Sequence, residues 1–244
     1  MLGKYGDVSF RAEAVDWSLK TYAEYMDDNQ DESPLYLFDR SFVEKTDIRV
    51  GREYWAPGCF GEDLFSVLGE QRPDSRWLIV GPEKSGSTFH KDPNATSAWN
   101  AVLRGSKYWI MFPASPSQPV PPGVFVSEDQ SEVTTPLSIA VVNLSAAVAI
   151  TQNFVPQAHL AKVLDFLKNK PDQVSGFRSD VKNAYELFVE KMRERYPEVL
   201  DKALGELERI HEGKKRKWDQ LVNGDDEHGT NARGFSFGFD EDVP

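Results

Sequence analysis

A histidine and an aspartate separated by one residue lie in the stretch GSTFHKDPNATSAWNAVLRGSKYWIMF, residues 86–112. Side chains two residues apart on a β-strand point to the same face, so His90 and Asp92 could reach one metal ion. Together with a second His from another strand, they would form the three-ligand set of non-haem Fe(II) oxygenases. The alternative for an isolated HxD is a hydrogen-bonded strand histidine and a turn-forming Asp before Pro93.

A lysine follows on the next predicted strand. A two-residue hairpin turn at Arg104-Gly105 is expected between the two strands. Such a turn pairs Val102 with Lys107 and places Lys107 on the same face as Asn100. Inside an apolar barrel this lysine needs an anionic partner, because an unpaired buried ammonium is costly, and a dicarboxylate ligand would supply one. The alternative is a solvated face on which Lys107 is an ordinary edge-strand lysine.

The elements that would position these residues change in character along the chain. Up to about residue 155, short apolar runs alternate with turn residues, which predicts a β-rich unit with a helical preface. Strands are expected in RWLIVGP, in SAWNAVLRGSKYWIMFP (two strands) and in NLSAAVAITQNFV, and a short helix DLFSVLG is expected to end at Gly69. After Pro156 the apolar residues recur at helical spacing, and Pro197 indicates the start of a separate final helix.

Composition limits the classes of function. A net charge of −11 and a pI near 4.9 argue against direct nucleic-acid binding, because phosphates would be repelled. The single Cys59 provides no disulfide framework, and no apolar run is long enough to span a membrane. An intracellular protein, nuclear or cytoplasmic, is therefore expected. The basic cluster GKKRKW at 213–218 fits a nuclear-import signal or a solvated helix face equally well.

Several motifs together carry a family resemblance. The segments YWAPGCFGEDLF, HKDP, TSAWN, GSKYW and ITQNF resemble the Jumonji-C (JmjC) family of Fe(II)- and 2-oxoglutarate-dependent oxygenases, in the branch of the lysyl hydroxylase and arginine demethylase proteins. The implied fold is mainly β with α, a double-stranded β-helix or cupin-like jelly-roll barrel over residues 35–156. A preface over 1–34 with N-terminal helices, a helical extension over 157–222 and an acidic tail over 223–244, predicted to be disordered, complete the expected organisation.

The resemblance assigns roles to individual residues. His90 and Asp92 match the first two iron ligands, and Lys107 matches the lysine that pairs with the distal carboxylate of 2-oxoglutarate. The remaining co-substrate positions are matched by Asn100, Thr151, Ser87 and Asn143, the last of them near the iron. The implied reaction couples oxidative decarboxylation of 2-oxoglutarate to succinate with hydroxylation of a substrate C–H bond, which on an N-methyl group leads to demethylation.

One part of the family pattern is absent. The family's third iron ligand is a His in a GWWH-type segment just before VVNL, whereas here Ile139 stands four places before Asn143. No His lies between His90 and His159, and His159 follows the barrel in a helix from which it is not expected to reach the site. The barrel is therefore expected to be internally shortened near residues 140–141, with loss of a few dozen residues, at least one strand and the third ligand.

Two functions follow from this pattern. The first is a JmjC-type protein hydroxylase or demethylase that uses Fe(II) and 2-oxoglutarate, bound weakly because the third iron ligand is missing. The second is a catalytically inactive JmjC-like binding or scaffold module. The protein substrate and the choice between hydroxylation and demethylation stay open, and no partner among membranes or nucleic acids is expected.

Overall fold

The computed structural model describes residues 1–48, 53–113 and 137–223. The chain divides into two compact units, residues 1–204 and residues 205–244. The described part of the second unit is the C-terminal part of the final helix, which ends at Asn223. The tail predicted over 223–244 lies outside the described residues, apart from Asn223.

The described residues form helices and strands in the following order. The helices are α1 (Leu2–Tyr5), α2 (Leu19–Asp28), α3 (Phe42–Lys45), α4 (Leu160–Asn169), α5 (Ala184–Arg195) and α6 (Pro197–Asn223). The strands are β1 (Ser9–Ala12), β2 (Val15–Ser18), β3 (Leu37–Asp39), β4 (Arg76–Gly81), β5 (Gly86–His90), β6 (Ser97–Arg104), β7 (Lys107–Pro113), β8 (Leu137–Asn143) and β9 (Ala147–Phe154).

Two antiparallel sheets carry the fold. The larger sheet has the strand order β2-β1-β3-β4-β9-β6, and the smaller has the order β5-β8-β7. From β4 to β7 the chain passes from one sheet to the other at each step, as in a jelly roll. Within the described residues, the two sheets do not close into a barrel.

The main core lies on one face of the larger sheet. Leu78 and Val80 of β4 alternate with Trp77 and Ile79, and only the first pair belongs to the cluster that includes the buried Tyr22 of α2. Because strand side chains alternate between faces, Trp77 and Ile79 point to the opposite face, where the candidate site lies. None of the described helices is long and apolar enough to cross a membrane.

The predicted hairpin between β6 and β7 is wrong. The two strands belong to different sheets, and Lys107 pairs with Asn143 of β8, not with Val102. The chain crosses from one sheet to the other at Gly105. Its φ of 81° favours glycine, and a Cβ atom at this position would lie only 2.3 Å from the Ala146 carbonyl oxygen, so a larger residue would not fit. The chain does turn at Arg104-Gly105, as predicted, but the turn connects strands of two different sheets.

Most of the other predicted elements are confirmed. The strands within residues 76–154 and the helices after Pro156 form, and Leu64–Gln71 is a 3-10 helical segment with Gly69 at a φ of 54°. The preface contains α1 and α2 as predicted, but it also contributes β1 and β2 to the larger sheet. These two four-residue strands are too short to give a clear alternating pattern in sequence.

Candidate active site

A cavity of about 790 Å³ opens on the face of the larger sheet opposite the main core. Both sheets contribute to its wall. Its apolar lining includes Trp77 and Trp109, and its polar lining includes His90, Asp92 and Asn100. A mainly apolar cavity with a few convergent polar groups is the usual form of a small-molecule site.

His90 is the last residue of β5, and Asp92 lies two residues beyond the strand, immediately before the turn Pro93–Ala95. The prediction that both residues lie on one strand is therefore wrong for Asp92, although both side chains line the cavity. The Nδ1–H of His90 donates to the Thr88 carbonyl oxygen over 2.8 Å in the tautomer that leaves Nε2 without a proton. Burial raises the pKa of Asp92, and the neighbouring His90 opposes that rise. A neutral imidazole nitrogen and a carboxylate beside it are suitable ligands for a divalent metal.

The turn behind Asp92 is held in an uncommon conformation. Asn94 and Ala95 have φ values of 56° and 55°, in the left-handed region that non-glycine residues seldom adopt. Asn94 is 2% exposed, and its side chain accepts from the Ser175 N–H over 3.1 Å and donates to the Ser175 carbonyl oxygen over 2.9 Å. These two hydrogen bonds tie the turn after Asp92 to the segment that follows α4.

Lys107 is half-buried at the start of β7. Its Nζ donates to Tyr36 Oη and to Asn143 Oδ1, each over 2.7 Å. Burial lowers the pKa of Lys107 to about 8, and it also raises the pKa of Tyr36, so that the phenol stays neutral. Among the described residues, these hydrogen-bond partners carry no negative charge, and an anionic ligand would stabilise the ammonium.

Asn143 holds Lys107 from the neighbouring strand. It is 1% exposed, and its Nδ2 donates to Ser85 Oγ over 2.9 Å while its Oδ1 accepts from Lys107. The hydroxyl of Ser85 donates in turn to the Pro82 carbonyl oxygen over 2.7 Å. Since both ends of the Asn143 amide are engaged, its role in this structure is to orient Lys107.

The other predicted co-substrate residues lie on the cavity wall. Asn100 and Thr151 are opposite each other on β6 and β9, and Ser87 lies on β5. The Thr151 hydroxyl donates to the Trp99 carbonyl oxygen over 2.8 Å. One end of the buried Asn100 amide, assigned as Oδ1, has no hydrogen-bond partner. Because amide oxygen and nitrogen exchange by rotation, this end could offer an N–H to a carboxylate.

Sequence reasoning missed one residue and misplaced another. Tyr36, a direct partner of Lys107, was not singled out, although the alternation of Tyr36 and Phe38 around the buried Leu37 indicates a strand face. His159 was not expected to reach the site, yet it lines the same cavity, and its Nδ1 lies 2.6 Å from Ser97 Oγ. Burial and, secondarily, Lys162 lower the pKa of His159.

His159 does not complete a metal centre in this structure. Within residues 1–48, 53–113 and 137–223, no three His, Cys, Asp or Glu side chains are placed to hold one metal ion. His90 and Asp92 therefore remain the protein ligands that the described site offers.

Comparison with known proteins gives three informative relatives. The chain is 40% identical to the arginine-specific demethylase JMJ22 of Arabidopsis thaliana over 271 aligned residues, which cover 95% of this chain and 52% of JMJ22. It is 36% identical to the lysine-specific demethylase JMJ21 of the same plant (62% of this chain, 20% of JMJ21). It is 42% identical to the bifunctional arginine demethylase and lysyl-hydroxylase psr-1 of Caenorhabditis elegans (41% of this chain, 26% of psr-1).

Two further facts qualify these matches. The chain spans about half the length of JMJ22 and smaller fractions of the other two relatives, and no protein-family profile matches it. The alignment with JMJ22 extends over 271 positions, which is more than the 244 residues of the chain. JMJ22 therefore has residues within the aligned region that have no counterpart here.

Proposed function

Because this chain is related to JmjC arginine demethylases and lysyl hydroxylases, we propose that its cavity binds 2-oxoglutarate and Fe(II) for hydroxylation or demethylation of a protein side chain. The observation that carries this proposal is Lys107, a partly desolvated ammonium with neutral hydrogen-bond partners beside a cavity of ligand size. We further propose that metal binding is weaker than in a complete three-ligand site.

The co-substrate fits the residues present. The distal carboxylate of 2-oxoglutarate would bind Lys107 with Tyr36, which already lies within hydrogen-bond distance of Lys107 Nζ. The unpaired end of the Asn100 amide would satisfy a second carboxylate oxygen, and Thr151 lies on the strand opposite. Charge-assisted hydrogen bonds of this kind are about twice as strong as neutral ones.

The metal fits the residues present only in part. His90 and Asp92 would hold the metal. The hydrogen bond from His90 Nδ1–H to the Thr88 carbonyl oxygen would keep the ring in the tautomer that leaves Nε2 free to bind it. Bound Fe(II) would supply the dioxygen chemistry of the reaction. The protein's own contribution would be to orient the co-substrate and, through the aromatic wall, to limit the access of water.

We propose that the barrel is internally shortened and that the lost segment carried the third ligand. The JMJ22 alignment, longer than this chain, supports the proposal that a segment has been lost. We place the junction near residues 140–141, because β8 runs through it without a His between Leu137 and Asn143.

A second candidate function is a binding module without catalysis. The observation that favours it is that residues 1–48, 53–113 and 137–223 place only His90 and Asp92 as metal ligands at the cavity, since loss of a ligand weakens metal binding without removing the pocket for a carboxylate. The two candidates share the co-substrate pocket and differ in turnover.

Succinate release separates the two candidates. The purified chain is supplied with Fe(II), ascorbate and 2-oxoglutarate, and succinate is measured by mass spectrometry. The enzyme proposal expects succinate above the protein-free rate, and Lys107→Met should abolish it, whereas Lys20→Met, an exposed lysine on α2, should not. Saturable 2-oxoglutarate binding without succinate would select the binding module, and absence of both would overturn the proposed function.

A further inference from the structure

Three aromatic side chains form a continuous strip along one wall of the cavity. Tyr36 and Phe38 lie on either side of Leu37, so their side chains point to the same face of the larger sheet. The ring centroids of Tyr36 and Phe38 are 6.5 Å apart, and those of Phe38 and Trp77 are 5.5 Å apart. All three rings line the cavity, and they are here called the aromatic strip.

The ammonium group of Lys107 lies at the Tyr36 end of this strip. Its Nζ is 5.1 Å from the centroid of the Tyr36 ring and donates to the Tyr36 hydroxyl over 2.7 Å. The second acceptor is the amide oxygen of Asn143, which is also uncharged. A carboxylate bound beside Lys107 would accept from the ammonium group and from the Tyr36 hydroxyl, and hydrogen bonds of this charge-assisted kind are the strong ones.

The cavity also has apolar side chains that are partly exposed to solvent. Phe38 is 41% exposed, and two more residues of the cavity lining, Val102 of β6 and Met111 of β7, are 41% and 50% exposed. Apolar surface of this kind is stabilised when a ligand removes it from water. The site therefore combines a half-buried cation with an apolar wall that a ligand could cover.

A short dicarboxylate would use only part of this cavity. Both ends of 2-oxoglutarate are charged, and a carboxylate placed against Phe38, Val102 or Met111 would lose its hydration without gaining a hydrogen bond. The cavity volume of about 790 Å³ lies in the upper part of the range of about 300–1,000 Å³ that is usual for drug-sized ligands. An apolar chain would fill the remaining space and cover the exposed apolar side chains.

We propose that the cavity also binds monocarboxylates with an apolar chain, of the fatty-acid type. The carboxylate would bind Lys107 and the Tyr36 hydroxyl, and the chain would lie along the aromatic strip toward Phe38. This inference goes beyond the function proposed above, because it requires neither a metal nor turnover. Since both ligands would use Lys107, a fatty acid would compete with 2-oxoglutarate.

The test is calorimetric titration of butanoate, hexanoate and octanoate into the full chain, with a chelator present to exclude metal binding. Each methylene group that is buried against the wall should raise the affinity by about fourfold. Octan-1-ol has the same chain length as octanoate but no charge, and it should bind about tenfold more weakly. This series is measured on the wild-type chain and does not depend on the folding of any variant.

Two phenylalanine variants locate the chain of the ligand. Phe38→Ala should lower the affinity for octanoate by about fivefold and leave that for butanoate unchanged. Phe60→Ala is the matched control, because Phe60 is 37% exposed and contacts two aromatic rings but is not part of the cavity lining. Lys107→Met should lower the affinity for all three acids by about tenfold or more. Thermal midpoints are compared to confirm that the variants fold.

Several results would overturn the proposal. Absence of binding by all three acids, or equal affinity for them, would show that the wall does not bind an apolar chain. Equal effects of Phe38→Ala and Phe60→Ala, or equal affinity for octan-1-ol and octanoate, would contradict the proposed placement of the chain or of the carboxylate. Titration with 2-oxoglutarate and Mn(II) distinguishes this inference from the proposed function, since binding of 2-oxoglutarate without chain-length dependence refutes the inference alone. The reverse result refutes the 2-oxoglutarate site alone.

Discussion

Lys107 Nζ and Asn143 Oδ1 lie 2.7 Å apart across the β7–β8 pair, at positions that are opposite each other in the strand register. The strand pairing therefore fixes the position of the one cation that the proposed co-substrate needs. The hydrogen bond keeps the ammonium group in place without neutralising it. The buried ammonium of Lys107 lowers the free energy of unfolding, because its charge is partly desolvated even without a ligand.

The first prediction concerns the pH dependence of stability. The folded-state pKa of Lys107 is about 8, below its ordinary 10.5, so the unfolded chain binds more protons between these pH values. The contribution of Lys107 to the free energy of unfolding should therefore rise with pH in this window. Urea unfolding measures the free energy of unfolding of wild type and of Lys107→Met. Between pH 8 and 10 the value for wild type should rise relative to the value for the variant. A pH-independent difference would contradict the prediction.

The second prediction concerns Asn143. Asn143→Ala removes the partner of Lys107 and leaves the Ser85 hydroxyl with fewer contacts in a buried place, which should cost about 1–3 kcal/mol of unfolding free energy. Urea denaturation measures the loss. Leu144→Ala is the neighbouring control, because Leu144 is exposed and should lose less than about 0.5 kcal/mol. Equal losses in the two variants would show that the hydrogen bonds of Asn143 to Lys107 and Ser85 do not stabilise the fold.

The third prediction concerns the turn behind Asp92. Ala95→Gly should raise the free energy of unfolding by about 1 kcal/mol, since glycine adopts a positive φ without steric cost. Asn94→Ala should instead lower it by about 1–3 kcal/mol, because it keeps the strain and removes both hydrogen bonds to Ser175. Thermal or urea unfolding distinguishes the two, and a change of the same sign in both variants would rule out this explanation of the turn.

The fourth prediction concerns His159. In the structure it lines the cavity but belongs to no three-ligand metal group among the described residues. His159→Gln should therefore leave Mn(II) affinity within about twofold of wild type, whereas His90→Gln should lower it by about tenfold or more. Calorimetric titration with Mn(II) provides the affinities. A comparable loss in both variants would identify His159 as a third ligand.

The sequence was sufficient for most strands within residues 76–154, for the helices after Pro156 and for several polar residues of the cavity, but not for β1 and β2. Glycine, proline and alternating apolar residues mark the strands, and His90, Asp92, Asn100 and Thr151 all line the cavity. The pairing of Lys107 was not accessible, because a turn signal at Gly105 does not show whether the chain returns in the same sheet or crosses to another. Tyr36 was missed and His159 was wrongly expected to lie away from the site for a related reason, since the position of both residues beside the cavity depends on contacts between distant segments.

Binding of 2-oxoglutarate through Lys107 is measured by calorimetric titration of 2-oxoglutarate into the full chain at pH 7 with Mn(II), for wild type and for Lys107→Met. Wild type should bind saturably and the variant should not, because the substitution removes the ammonium group beside the cavity and changes no other charge. Binding should also weaken in wild type as the pH rises past about 8, as the ammonium loses its proton. Absence of binding to wild type at millimolar ligand, or equal binding by Lys107→Met, would contradict a 2-oxoglutarate site at Lys107.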